Sequence, residues 1–253
     1  MPPRLAFFLV IAFVAITTVG GVARAQVPWT LDLEAAMVTA ASNDVGIPGD
    51  TGTRFSLTDD LATDDDVAFR VRLGRRLGER NHLSVLYAPL QLSAAGSPGF
   101  AIDFNGESFA AGSDLDATWK FNSYRLTWRY DLARSDRVEF GLGLTAKVRD
   151  AYIELSDGQT TTRKDDLGFV PLLHLRLDWR WSDKLGLLLE GDALASPTGE
   201  GRAEDALLAL TVRPWERGTF RVGYRILEGG ADVDAVYNFA LVHYAVFGWS
   251  QRF

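Results

Sequence analysis

One feature restricts this chain more than any other: apolar and polar residues alternate with a period of two along most of its length. In 124–132, Tyr124, Leu126, Trp128, Tyr130 and Leu132 fall on one face, while Arg125, Thr127, Arg129 and Asp131 fall on the other. In 173–181, Leu173, Leu175, Leu177, Trp179 and Trp181 alternate with His174, Arg176, Asp178 and Arg180. Wound into a helix, these charges would surround the axis and leave no apolar stripe. In a strand, successive side chains point to opposite faces, and the two classes separate completely.

Eight further segments follow the same rule: 28–41, 66–74, 82–93, 137–150, 185–194, 204–213, 218–228 and 235–253. The pattern therefore predicts about ten antiparallel strands, with eight and twelve as the neighbouring solutions. The connections alternate in length. Short ones are expected near 75–81, 133–136, 182–184 and 214–218, and longer ones near 42–65, 94–116, 156–166, 195–203 and 229–234. Within 94–116 the pair Asn105-Gly106 is a strong two-residue hairpin signal, because that turn needs positive φ at both positions. It predicts a small hairpin rising beyond the main sheet. Glu228 to Asp232, with its two glycines, is expected to form a tight connection of its own.

Alternation alone also suits a soluble sandwich or barrel whose apolar faces point inward. Three observations favour the inverted arrangement. Long and short connections alternate as they do in transmembrane barrels. Aromatic residues gather at strand ends on the apolar face: Trp128, Tyr130, Trp179 and Trp181 precede short turns, and Trp249 and Phe253 end the chain. That is where an amphipathic ring meets lipid headgroups. The polar faces also carry long charges of both signs, which a closed interior holds if they pair or stay hydrated. The expected fold is thus an all-β, up-and-down transmembrane barrel. A closed sheet suits a bilayer because hydrocarbon leaves no partner for an unpaired backbone edge.

The first 25 residues read as a cleaved signal peptide rather than part of the barrel, which is assigned to 26–253. Arg4 supplies the positive start, Leu5–Ile16 the apolar run, and Ala23-Arg24-Ala25 the small-residue cleavage site. Arg4 and Arg24 leave with it and no acid does, so 24 basic residues face 33 acidic ones, a net charge of −9. An acidic chain is a poor partner for nucleic acid. The absence of cysteine rules out a disulfide framework.

The last strand ends in Phe253, with Tyr237, Phe239, Leu241, Ala245, Phe247 and Trp249 on its apolar face. With the signal peptide and the hairpin rhythm, it makes the chain resemble bacterial outer-membrane β-barrel proteins of the small OmpA-type and OmpW-like superfamily. The resemblance implies a Gram-negative outer-membrane location with both termini periplasmic. It also implies contact with membrane lipid and lipopolysaccharide, and recognition of the last strand by the barrel assembly machinery. The chain departs from the pattern at Gln251, where an apolar residue is usual, and at His243, which interrupts the apolar face.

The polar faces supply the candidate site. Arg125, Arg129, Arg149, Arg176, Asp178, Arg180, Glu190, Asp192, Asp205, Arg221 and Arg225 are expected to form a charge network inside a narrow lumen. In a barrel of about ten strands such side chains largely fill the interior. The first expectation is therefore a structural or narrow-pore, porin-like protein without catalysis, metal or cofactor. The alternative is a hydrolase acting on lipid A or peptide at the outer face, with His174 as base or Asp192 and Asp205 as paired acids near Arg149, Arg202 and Arg225. The acidic run Asp59, Asp60, Asp64, Asp65 and Asp66 lacks calcium-loop spacing. It reads as a solvated loop, with divalent bridging to lipopolysaccharide as the other use.

Overall fold

A computed structural model describes residues 29–196 and 199–253; the predicted signal peptide lies outside the described residues. The elements, in chain order, are β1 (Trp29–Gly46), β2 (Phe55–Ser56), β3 (Ala62–Thr63), β4 (Asp66–Leu77), β5 (Asn81–Ala88), β6 (Gln91–Gly96), β7 (Ile102–Phe104), β8 (Glu107–Phe109), β9 (Leu115–Arg134), β10 (Val138–Ser156), β11 (Thr161–Arg180), β12 (Leu185–Ala195), β13 (Gly201–Trp215), β14 (Gly218–Val233) and β15 (Val236–Arg252). Each long strand pairs antiparallel with its chain neighbours, and β15 returns to β1, with Thr30 opposite Arg252 and Gly46 opposite Tyr237. β9 pairs with both β5 and β10, which closes the ring. The result is a ten-strand up-and-down barrel, β5 and β6 together forming one stave against β9.

The break between β5 and β6 falls at Pro89, which has no N–H to give the ladder. Leu90 rejoins β9 by donating its N–H to Asn122 Oδ1 at 3.1 Å and accepting the Phe121 N–H at 2.8 Å. The four short turns lie as predicted. Two of the longer connections differ from expectation. The connection expected over 156–166 shrinks to 157–160, because β10 and β11 run on as paired strands beyond the apolar belt. Glu228–Asp232 is not a turn at all. It belongs to β14, and the chain reverses at Asp234 and Ala235. Gly230 is needed there for proximity: a Cβ on it would lie 2.0 Å from the Asn238 carbonyl.

The faces sort as the alternation predicts. Phe69, Leu126, Leu144, Leu173, Leu210, Val222 and Phe247 are exposed on the outside. Arg70, Arg125, Lys147, His174, Asp205 and Arg225 are buried inside. The outer apolar belt ends abruptly toward the loops, where Tyr124, Val148, Leu167 and Ile226 give way to Asn122, Asp150, Asp165 and Glu228 two residues on. Trp128, Trp179, Trp181 and Phe253 are exposed at the short-turn end, with Tyr130 and Trp249 half-buried on the same outer face. Trp128 and Trp215 donate their indole N–H to Asn81 Oδ1 (3.1 Å) and Gln251 Oε1 (3.3 Å). Gln251 thus gives a belt tryptophan its hydrogen bond. His243 does face outward, and its Nδ1 meets the Tyr224 hydroxyl at 2.5 Å, so both polar atoms are satisfied against the apolar belt.

The loop mouth holds something the strand pattern did not predict. The Asn105-Gly106 turn forms with φ of 49° and 87°, but its hairpin, β7–β8, folds in over the mouth instead of rising above it. Ile102, Phe104 and Phe109 are completely buried. Phe104 meets Phe55 edge-on at 6.2 Å. They pack with Val45, Ile47, Leu57, Leu92, Leu115, Trp119 and Leu155 in one apolar core. Backbone bonds from Thr53 N to Asp103 O (2.9 Å) and Asn105 N to Ile47 O (2.8 Å) tie the cap down. The physical reason is burial: three large apolar side chains in an exposed hairpin would forgo about 1.5–3 kcal/mol each.

Candidate functional site

Beneath this cap the lumen is crossed by charge. Arg72 on β4 reaches Glu190 on β12, its diametrically opposite strand, at 2.6 Å. Arg176 binds the other oxygen of the same carboxylate. Asp205 on β13 collects Arg70 (3.0 Å), Arg125 (2.6 Å) and Arg225. Arg70 and Arg125 come from β4 and β9, each four staves away round the ring. Glu34 on β1 takes Arg225 through both oxygens, at 2.9 and 3.0 Å, and Arg221 at 2.9 Å. Arg221 also binds both oxygens of Asp32, at 2.6 and 2.8 Å. Gly248 makes this arrangement fit, since a Cβ there would lie 2.4 Å from the Arg221 guanidinium carbon. Such forked pairs are the strong form of charge-assisted bond.

Asp192 and Asp205 stand directly opposite each other in the β12–β13 ladder. Arg125 bridges them, with 2.7 Å to Asp192 and 2.6 Å to Asp205. Asp192 further accepts from Thr145 Oγ1 at 2.7 Å and contacts His174 Nδ1 at 2.9 Å. Every carboxylate oxygen that an acid pair would use is therefore engaged. Arg149 and Arg202 stand apart from this centre. Arg149 pairs with Asp166 higher in the wall, and Arg202 pairs with Glu228 on the outer side. Asp178 binds Arg213 at 2.6 Å, and Arg129 binds Glu139 at 2.7 Å. Arg180 lies near the short-turn mouth, and its side chain forms no ion pair among the described residues.

Sequence reasoning passed over one cluster. His82, Asp131 and Glu139 bring their ligand atoms within 4.8 Å of one another at the short-turn mouth. His82 Nε2 lies 2.7 Å from Asp131 Oδ2, and Arg129 lies 3.1 Å from Asp131 and 2.7 Å from Glu139. With its guanidinium already between the two acids, the trio behaves as an ion-pair cluster. The signal in sequence was weak because β9 carries a bulge between Asp131 and Ala133, which moves the pairing with β10 by one residue. In the acidic loop, Asp60 accepts the Ser56 N–H at 2.7 Å and Asp66 the Val67 N–H at 2.7 Å. These two acids shape the backbone of the loop.

The lumen is nearly full: two of its voids measure about 10 Å³ each, room for roughly one water molecule apiece. Arg70 borders both, so the ion-pair layer around it lies between them.

Comparison with known proteins bears on the architecture. No family model matches the chain, and no curated protein does. Among solved structures, the outer-membrane protease OmpT of Escherichia coli is similar over 89% of this chain and 97% of its own, with 10% identity and a TM-score of 0.52. An outer-membrane channel from Pseudomonas putida F1 is similar over 90% and 96%, with 10% identity and a TM-score of 0.46. Neisserial surface protein A is similar over 89% and 97%, with 14% identity and a TM-score of 0.39. At such identity the likeness speaks to fold and not to activity. With an apolar exterior, a charged interior and ten strands closed without an edge, the chain has the fold of an outer-membrane β-barrel.

Proposed function

We propose that this protein is a structural barrel of the bacterial outer membrane whose lumen is shut by its own ion pairs, with both termini in the periplasm. The observation that carries this reading is the Arg72–Glu190 contact at 2.6 Å between opposite strands. A solute moving along the axis must break it, together with the three-arginine cluster on Asp205. Separating a buried pair without a replacement partner costs about 3–5 kcal/mol. The apolar cap closes the same path from the loop side. His174 and Asp192 face Arg125 and Thr145 beneath that cap, which supports a non-catalytic role. The short-turn end carries the start of β1, the end of β15 and the tryptophan belt, and on this reading it faces the periplasm, as in barrels with longer external loops. Phe253 is then the residue offered to the barrel assembly machinery, and lipid with lipopolysaccharide surrounds the belt.

The test is conductance in planar bilayers. The wild-type barrel is expected to give no steps above the lipid baseline. A steady ohmic conductance in the wild type overturns the closed reading. Turnover of lipid A or of a peptide library by the purified protein overturns the non-catalytic one.

A further inference from the structure

The two ends of the barrel hold their cations differently. At the loop end Arg54, Lys120, Arg149, Arg163 and Arg202 each form an ion pair with a carboxylate. At the short-turn end the side chains of Arg80, Arg137, Arg180, Lys184 and Arg217 form none among the described residues. Each short turn also carries one exposed acid, Glu79, Asp136, Asp183 or Glu216, but none of these pairs with the bases around it. The excess of positive charge gathers at one point of the mouth. Arg76 on β4, Arg134 on β9 and Arg252 on β15 come from strands spread round the ring, and the charges of Arg134 and Arg252 both bear on Arg76. Arg134 Nη1 donates to the Glu79 carbonyl at 2.7 Å, and Arg252 Nη2 donates to the Glu216 carbonyl. A carbonyl orients a guanidinium without neutralising it. Arg76 reaches one carboxylate, Glu139 at 3.7 Å, which Arg129 already binds at 2.7 Å. The other acid nearby, Asp131, is taken by Arg129 and His82. The Arg76 Nε atom is buried with no hydrogen-bond partner. Like charges held together repel unless an anion lies between them, and a buried donor wants an acceptor.

We propose that this mouth is an oxyanion site that takes a phosphate group between Arg76, Arg134 and Arg252. A guanidinium presents a planar fork of donors that matches phosphate oxygens. Two of the three forks are already aimed by backbone carbonyls, so less freedom is lost on binding. The mouth stands at headgroup height, since Arg75 on the same rim lies over the Trp29 ring at 5.1 Å and an indole marks that level. A phospholipid phosphate of the adjoining leaflet and a free phosphate offer the same chemistry. The buried layer around Asp205 takes no part, so the site stands whether or not the lumen conducts.

The full barrel in nonionic detergent micelles tests this. Sodium phosphate replaces sodium chloride at constant pH and ionic strength, and binding is read by titration calorimetry. The wild type is expected to bind phosphate saturably. Arg134→Gln and Arg252→Gln, both at exposed side chains, are each expected to weaken that binding about tenfold. Lys184→Gln removes a charge from the same end but outside the cluster, and is expected to leave the binding unchanged. Native mass spectrometry then separates the sources. Phosphatidylglycerol retained by the wild type and expelled by inorganic phosphate identifies the lipid headgroup, whereas phosphate binding without such competition identifies the free ion. Absence of saturable phosphate binding, or binding unchanged in both arginine variants, overturns the proposal. So does a loss in Lys184→Gln as large as in Arg134→Gln, which would mean that overall charge attracts the anion and this site does not. None of these outcomes alters the conductance expected of a closed lumen.

Discussion

At the level of Asp205 the barrel is packed with charge, whereas at the level of Phe104 it is packed with hydrocarbon, and the two fillings obey different rules. In the charged layer each group is held by specific partners: Asp205 has three arginines drawn from β4, β9 and β14. In the cap, Phe104 touches several apolar neighbours with no donor or acceptor to satisfy. Ion pairs fix one geometry and fail sharply when a member is lost. Apolar packing degrades in proportion to the volume removed. The difference follows height in the membrane. Within the belt the strands already turn their apolar side chains toward lipid, so the inner face receives the polar ones by default. Above the belt water lies outside, and β9, β10 and the loops turn apolar residues inward as a soluble protein does.

The contrast breaks most visibly at Asp205. Asp205→Ala is expected to destabilise the barrel by about 3–5 kcal/mol, because three buried guanidiniums lose a shared acceptor. The urea midpoint in detergent measures it, and a change below about 1 kcal/mol would show that the charged layer is not a cooperative network. Phe104→Ala is expected to cost about 3 kcal/mol, but locally. Hydrogen exchange should rise over 47–57 and 102–109 while β13 and β14 stay protected. Uniform loss of protection would mean that cap and barrel form a single cooperative unit. Leu144, on the outer face of β10 and 57% exposed, sharpens the membrane side of the comparison. Leu144→Arg is expected to cost about 2–4 kcal/mol in lipid and to be nearly neutral in a soluble fold, so refolding into vesicles separates the two. The smallest effect belongs to the outer pair Lys120–Asp150, at 2.7 Å but partly exposed. Lys120→Ala is expected to change stability by less than about 1 kcal/mol, and a larger loss would place that pair among the buried ones.

Individual residues show where reading the sequence stopped. The inward set around Arg125, Glu190, Asp192, Arg221 and Arg225 was legible, since parity along a strand is strictly two. Their partners were not. That Arg72 finds Glu190 depends on the tilt and closure of ten strands, and parity says nothing about which inward residues share a height. Arg149 illustrates the limit: its parity is the same as that of Arg125, yet it lies higher and pairs with Asp166. The cap was half visible: Asn105-Gly106 announced a turn, but local sequence does not say toward which side a hairpin will fold.

By itself, then, the alternation of this chain determined its strands, their faces and their antiparallel order, because a strand has only two sides and a bilayer rewards only one assignment of them. The tertiary structure alone decided which charges meet across the lumen, that the loop mouth is sealed by Ile102, Phe104 and Phe109, and that Lys147 comes to lie over the Phe121 ring. Those outcomes depend on distances between residues far apart in the chain, and such distances exist only once the ring has closed.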